Sequence, residues 1–495
     1  MSSIKKFAGQ AIFYGLGSII SKVIWLLLIT VYLTRLLGED GQIEYGIYTA
    51  LYSYMTVLIV LFSMKLDTAL FRYGNIKERF QESYNTIATI VLLSAILVLF
   101  IVFIFGDQIA VLIQFPGEGR YVRWFGFILA FDILSLIAFA KLRLENKAKQ
   151  FALFKIGNAL LLSLLSIFFL AIYPRLSTGI LNWLPKFDAV IDYLFLVNLF
   201  VSGFFLCILL LYTKGFKFKI STQLVKKIFP YILPLVIVGI ANNFIQYFGV
   251  PLIQFLESGS VEENIETSGV YEASRKIAGF FALFIGAFNY AAEPFFFNNS
   301  TEKDKEKLYG KICNLYVLVG GAFCLGLVLY LDIAKLAVDA AYRESLFIVP
   351  ILLMAYLILG IYHNISIWYK LSDKTLYGAY ISLIGALVMF GITFKYIGVI
   401  GYGACAWATL TTYIIMVVLA YVLGQKKYPI KYPVGKITTS LVIITLLLYV
   451  AYYNYSNLSG IMMYAVNTVI FLIYLTYVYV MEKEEWHKML SRRSS

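Results

Sequence analysis

Ionisable and strongly polar side chains stand inside segments that are otherwise apolar, and they recur at helical spacing. Glu272, Arg275, Gly279, Ala282, Gly286, Asn289 and Glu293 form one seam, with Phe280, Phe281, Phe284 and Phe288 on the opposite face. Shorter seams run through Ala11, Gly15, Ser18 and Lys22, through Thr49, Ser53, Thr56, Ser63 and Asp67, and through Gly239, Asn242, Gln246 and Gly249. Small residues at this spacing let helices pack closely in lipid. That accounts for the glycines but not for Lys22, Arg275 and Glu293. A charge near the middle of a bilayer costs roughly 2.5–3.5 kcal/mol even on a lenient insertion scale, so it marks a face that avoids hydrocarbon and lines water or meets a partner. Asp132, mid-span in the fourth apolar segment, reads as a functional or paired acid.

Covalent chemistry is not on offer. Gly310-Lys311 and Gly435-Lys436 lack the upstream glycine of a phosphate-binding loop, and no H-E-x-x-H occurs. Gly401-Tyr402-Gly403 imitates a dinucleotide fingerprint but opens an apolar span, where close helix packing explains it. The four cysteines (Cys207, Cys313, Cys324, Cys405) and two histidines (His363, His487) follow no metal or disulfide spacing. The expectation is no enzyme, no metal and no cofactor. His363, Asn364 and Ser366 read as a hydrogen-bonded packing cluster, Lys155 as a lysine snorkelling toward its span's end, and Pro230, Pro234 and Pro251 as bends in a moving or static helix.

The elements that must position these residues follow from composition. Of 495 residues 61% are apolar and 14% charged. A soluble domain of this length has too little interior to hide them, and a disordered chain would lack the aromatics. Fourteen apolar stretches are long enough to span a bilayer: 11–37, 46–66, 83–105, 121–142, 150–172, 190–213, 228–256, 270–298, 308–331, 345–369, 374–394, 400–424, 437–454 and 459–481. The first is too long for a signal core and reads as a retained span. With the N-terminus in the cytoplasm, the 41 Lys and Arg gather on the inner connectors, Lys214 to Lys227 being the richest, and few lie outside. The net charge of +13 thereby needs no nucleic acid. The acidic stretch Glu257–Ser268 reads as a solvated outer loop. Both ends are expected in the cytoplasm.

The expected fold is all-α and integral to the membrane, with fourteen transmembrane helices. Residues 1–213 hold spans 1–6 as an N-lobe. Residues 214–227 form a cytoplasmic amphipathic linker, read as a short helix on the inner leaflet. Residues 228–424 hold spans 7–12 as a C-lobe, and 425–495 hold the closing pair and tail. Six is even, so the two bundles share an orientation, a parallel pseudo-twofold repeat. The richest seams fall on spans 1, 2, 7 and 8, equivalent positions in the two halves, and imply a central water-accessible cavity.

Three stretches resemble one family. "VYLTRLLGEDGQIEYGIYTALYSY" (31–54) is similar to the first loop of polysaccharide-export flippases in the multidrug/oligosaccharidyl-lipid/polysaccharide (MOP) exporter superfamily. "KLRLENKAKQFALFKIGN" (141–158) resembles their fourth-to-fifth connector, and "GVIGYGACAWATLTTY" (398–413) the start of their twelfth span. The polar residues between Gly38 and Tyr45 depart mildly from the usual short turn. The resemblance implies a bacterial cytoplasmic-membrane flippase. It would move undecaprenyl-diphosphate-linked oligosaccharide repeat units by alternating access, for O-antigen (lipopolysaccharide), capsule or exopolysaccharide synthesis, beside a glycan polymerase and a chain-length regulator. Its cationic cavity would hold the diphosphate on Lys22, Arg275 and Lys276, with Arg72 at the cytoplasmic mouth. Asn242 and Gln246 would bond sugar hydroxyls, and Asp132 and Glu293 are candidates for H+ or Na+ coupling. The rivals are a peptidoglycan-precursor or drug exporter of the same superfamily and a polytopic O-antigen polymerase or ligase.

Overall fold

A computed structural model describes residues 19–74, 79–176, 186–298, 305–372 and 374–491. Its described residues are helical with no strand. Thirteen helices are long and apolar enough to cross a membrane: α1 Ile19–Leu37, α2 Gln42–Tyr73, α3 Phe80–Leu112, α4 Gly119–Leu144, α5 Ala148–Ile172, α6 Val190–Tyr212, α7 Thr222–Tyr247, α9 Glu306–Leu329, α10 Glu344–Leu371, α11 Leu376–Ile400, α12 Gly403–Lys427, α13 Val434–Asn457 and α14 Gly460–Lys483. The fourteenth long helix, α8 Val261–Asn298, has 38 residues and carries Glu262, Glu263, Glu266, Glu272, Arg275 and Lys276 in its first half.

The chain forms two compact units. Unit one holds residues up to Ala273 and Thr375–Cys405; unit two holds Ser274–Lys374 and Ala406–Ser495. Helices α7 and α11 therefore pack with the first six, a grouping by contact rather than by sequence repeat.

In unit one the buried core joins α4, α5 and α6 through Phe139, Leu142, Phe151, Phe154, Leu162, Val201 and Phe205. Helix α2 is interrupted by Met64 and Lys65, both left-handed (φ 49° and 53°), after which Leu66–Tyr73 resumes. Its start crosses the start of α8 at two glycines. A Cβ on Gly46 would overlap the Ile265 carbonyl oxygen, and one on Gly269 would lie 3.0 Å from Gln42 O and Gly46 N. Without a hydrophobic drive between helices in lipid, such backbone approach is what holds them.

Three expectations are corrected here. The acidic connector is not a loop beyond Ser260: α8 begins at Val261, because Ser260 and Glu263 form a reciprocal capping box, Ser260 N–H to Glu263 Oε2 at 2.8 Å and Glu263 N–H to Ser260 Oγ at 3.2 Å. The linker from Lys214 to Ser221 is not a helix but extended chain, with α7 starting at Thr222. Side chains of α3 supply the hydrogen bonds that a helix would have made internally. The expected seventh span is also broken at Phe248, followed by the short helix Gly249–Leu256.

In unit two, α9 packs against α10, α13 and α14. The closing pair is pinned by buried polar groups: Tyr474 Oη donates to Leu318 O at 2.9 Å, Asn467 Nδ2 to Leu329 O at 2.5 Å, and Ser440 and Tyr477 hydroxyls meet at 2.9 Å. The Trp368 indole donates to Ala420 O at 3.0 Å. Asn364 and Ser366 bond their own helix, at Gly360 O and His363 O, as a packing cluster does.

Candidate substrate and coupling site

In unit one a polar network threads the aromatic interior between α2, α4, α5 and α6. The Ser202 hydroxyl lies 3.3 Å from Asp132 Oδ1 and 3.3 Å from Asn198 Oδ1. Asn198 Nδ2 donates to the Tyr52 hydroxyl. Tyr52 stacks among Tyr48 (4.7 Å), Phe125 (5.3 Å) and Phe195 (6.3 Å). The Lys155 ammonium lies 4.2 Å from the centre of the Phe139 ring, and the charges acting on it are Asp132 and Lys22. Lys155 sits two turns into α5 and faces an aromatic ring of α4, so the reading of it as a snorkelling lysine gives way to a base held against an aromatic face. Lys155 of α5 therefore feels the acid of α4 and the base of α1.

The other expected residues of unit one are spread along it. Lys22 is exposed on α1. Its seam-mates Ala11, Gly15 and Ser18 lie outside the described residues. Arg72 is exposed at the end of α2, its guanidinium 4.3 Å from the Tyr231 ring of α7, while Tyr73 Oη donates to Lys227 O at 3.0 Å. Asn242 and Gln246 are half-buried on α7. Their neighbour Asn243, passed over in the sequence, donates to Thr56 O. The hydroxyls of Thr49, Ser53 and Thr56 bond carbonyls of their own helix, at Gly46, Thr49 and Ser53. Those three hydroxyls are therefore satisfied within α2, as hydroxyls in helices commonly are.

In unit two, Arg275 and Lys276 are half-buried on α8, each engaged with neighbours. The Glu293 side chain lies outside the described residues. The phenylalanine face of α8 walls an apolar groove of about 690 Å³, lined by Ile277, Phe280, Phe284, Phe323, Leu327 and Phe471. Among the described residues no three His, Cys, Asp or Glu converge as metal ligands. Gly401, at φ 57°, makes the turn between α11 and α12, and Cys405 Sγ approaches Gly249 O at 3.7 Å, so the Gly-Tyr-Gly stretch serves a tight turn and close packing.

Solved structures share this fold. Lipid II flippase MurJ in an inward closed conformation superposes with a TM-score of 0.70 at 14% identity, covering 96% of this chain and 99% of that one. The likeness is one of fold. An inward-facing multidrug resistance MATE family transporter of the MOP superfamily matches with a TM-score of 0.62 at 12% identity, over 85% of this chain and 94% of its own. The MATE multidrug transporter DinF-BH gives 0.57 at 16%, over 85% and 95%. No family model matches the sequence. No curated protein matches it.

Proposed function

We propose that the chain is a flippase that carries undecaprenyl-diphosphate-linked oligosaccharide repeat units across the bacterial cytoplasmic membrane by alternating access. The observation that carries this reading is its likeness to a lipid flippase over 96% of its length, against 85–88% for the drug transporters. Bases on the long helices α1 and α8 support it. A lipid-linked diphosphate bears roughly two negative charges, which a base in a low-dielectric site attracts strongly, and arginine grips phosphate with a fork of donors. Lys22, Arg275 and Lys276 bind the diphosphate, with Arg72 receiving it at the cytoplasmic mouth. Asn242 and Gln246 bond sugar hydroxyls. The apolar groove beside Phe280 and Phe284 suits the isoprenoid tail. Asp132 and Glu293 couple the cycle to H+ or Na+, Asp132 through its electrostatic tie to Lys155. Both termini are cytoplasmic, and polymerase and chain-length regulator act downstream.

A second reading, transport of a peptidoglycan lipid precursor, is favoured by the same likeness to a lipid II flippase. Native mass spectrometry of the detergent-purified protein separates them. Undecaprenyl-diphosphate oligosaccharide should bind at least tenfold more tightly than lipid II or a cationic drug. Tighter retention of lipid II would replace the first reading with the second, and tighter retention of the drug would replace both.

A further inference from the structure

The chain between α6 and α7 is an extended strap lashed to α3. The Gln81 amide donates to Gly215 O at 2.6 Å, Lys217 N–H donates to Asn85 Oδ1 at 3.0 Å, Lys219 N–H to Thr89 Oγ1 at 3.3 Å, and Ser221 N–H to Thr86 Oγ1 at 3.1 Å. Its start is clamped by the buried Lys141, whose ammonium donates to Thr213 O at 3.1 Å and Lys214 O at 2.7 Å and lies 4.2 Å from the Tyr84 ring.

Alternate residues of an extended chain turn opposite ways. Beyond Gly215, where the chain turns at φ 98°, the main-chain N–H groups of Lys217, Lys219 and Ser221 turn to α3, so those of Phe218 and Ile220 turn outward, and Phe216 stands at the same alternate position. Phe216 is 41% exposed, Phe218 66% and Ile220 44%. Lys214, Lys217 and Lys219 are exposed as well, and so are Lys226 and Lys227 at the start of α7. Two aromatic rings and an isoleucine therefore stand in a row, flanked by ammonium groups. The strap joins the ends of two membrane helices, which sets it at the level of the lipid headgroups. Aromatic side chains favour that level, and polybasic stretches there are drawn to anionic lipid.

We propose that Lys214–Lys227 is a binding site for anionic phospholipid. Phe216, Phe218 and Ile220 seat at the headgroup–acyl boundary, and the lysines hold phosphate. A peptide paired along the outward edge would leave the aromatic row in water, whereas a lipid surface satisfies both the rings and the charges. The lashing to α3 presents the row ready-made, so no folding is needed on contact. The inference is independent of what the protein carries.

Hydrogen exchange of the full chain tests it without any transport. The protein is placed in nanodiscs of phosphatidylcholine alone and of phosphatidylcholine with phosphatidylglycerol. The amides of Phe216, Phe218 and Ile220 should exchange at least fivefold more slowly with phosphatidylglycerol present. That slowing should vanish in the triple variant K214Q/K217Q/K219Q, while the amides of Lys217 and Ser221, bonded to α3, stay protected in every case and show the strap intact. Equal exchange in the two lipids would overturn the proposal, and so would slowing that survives in the triple variant.

Discussion

Ser202 sets its hydroxyl 3.3 Å from the Asp132 carboxylate and 3.3 Å from the Asn198 amide oxygen, one proton between two acceptors. Protonation of Asp132 would let the acid donate to Ser202 and the hydroxyl donate to Asn198, so a proton taken up there rearranges a bond that runs on to Tyr52. Lys155 supplies the opposing charge.

The Asp132 charge is therefore expected to be coupled to that of Lys155. Asp132→Asn should destabilise the protein and abolish gradient-driven transport while leaving substrate binding in place. The double variant Asp132→Asn/Lys155→Gln should recover about 0.5–3 kcal/mol relative to the sum of the single losses, the range for coupled side chains. Thermal unfolding of the four proteins in detergent closes the cycle, and additive losses would break the link.

The crossing of α2 and α8 predicts a sharp contrast between glycines. Gly46→Ala should cost about 1–3 kcal/mol or more, as overpacking does, because its methyl overlaps the Ile265 carbonyl. Gly398→Ala, with open space around the added carbon, should leave stability unchanged or raise it slightly. Membrane abundance and melting temperature read both.

Arg275→Ala should remove transport while leaving membrane abundance intact, and Arg275→Lys should restore only part, since lysine keeps the charge without the two-pronged grip. Surface glycan set against protein level reports the result, and normal export by the alanine variant would take Arg275 out of the site.

Near the start of α14, Lys335 and Tyr464 both donate to Asp332 and hold its carboxyl below the usual carboxylate range. An acid with a lowered folded pKa contributes stability that is full above its ordinary value and lost as pH falls through the folded one. The pair is partly exposed, so its worth is on the order of 0.5 kcal/mol. The stability gap between wild type and Asp332→Asn should be widest near neutral pH and close in acid, a trend that melting curves across pH measure.

Hydropathy made the spans legible, because a bilayer demands about 20 apolar residues whatever the sequence. What escaped depended on partners far along the chain. Phe216–Ile220 alternates Phe or Ile with Lys, the period of an extended chain, but the basic stretch around it reads as an amphipathic helix; the partners that hold it extended, Gln81, Asn85, Thr86 and Thr89, lie more than a hundred residues earlier. The start of α8 was hidden by its glutamates, although Ser260 and Glu263 stand at the spacing of a capping box and could have disclosed it. Lys155 looked like a span-end lysine because its place against the Phe139 ring requires the packing of α4 on α5. The α2 seam was visible, but the hydroxyls of Thr49, Ser53 and Thr56 turned inward to their own backbone.

The central claim is that the protein moves a diphosphate-linked glycan lipid from one leaflet to the other. Purified protein in proteoliposomes, loaded with fluorescent undecaprenyl-diphosphate oligosaccharide, can be read by a glycan-specific hydrolase added outside. The account predicts that the protected inner-leaflet pool becomes accessible within minutes with wild type and stays protected with Arg275→Ala. A pool that remains protected with wild type, in liposomes where lipid II is moved instead, would contradict it.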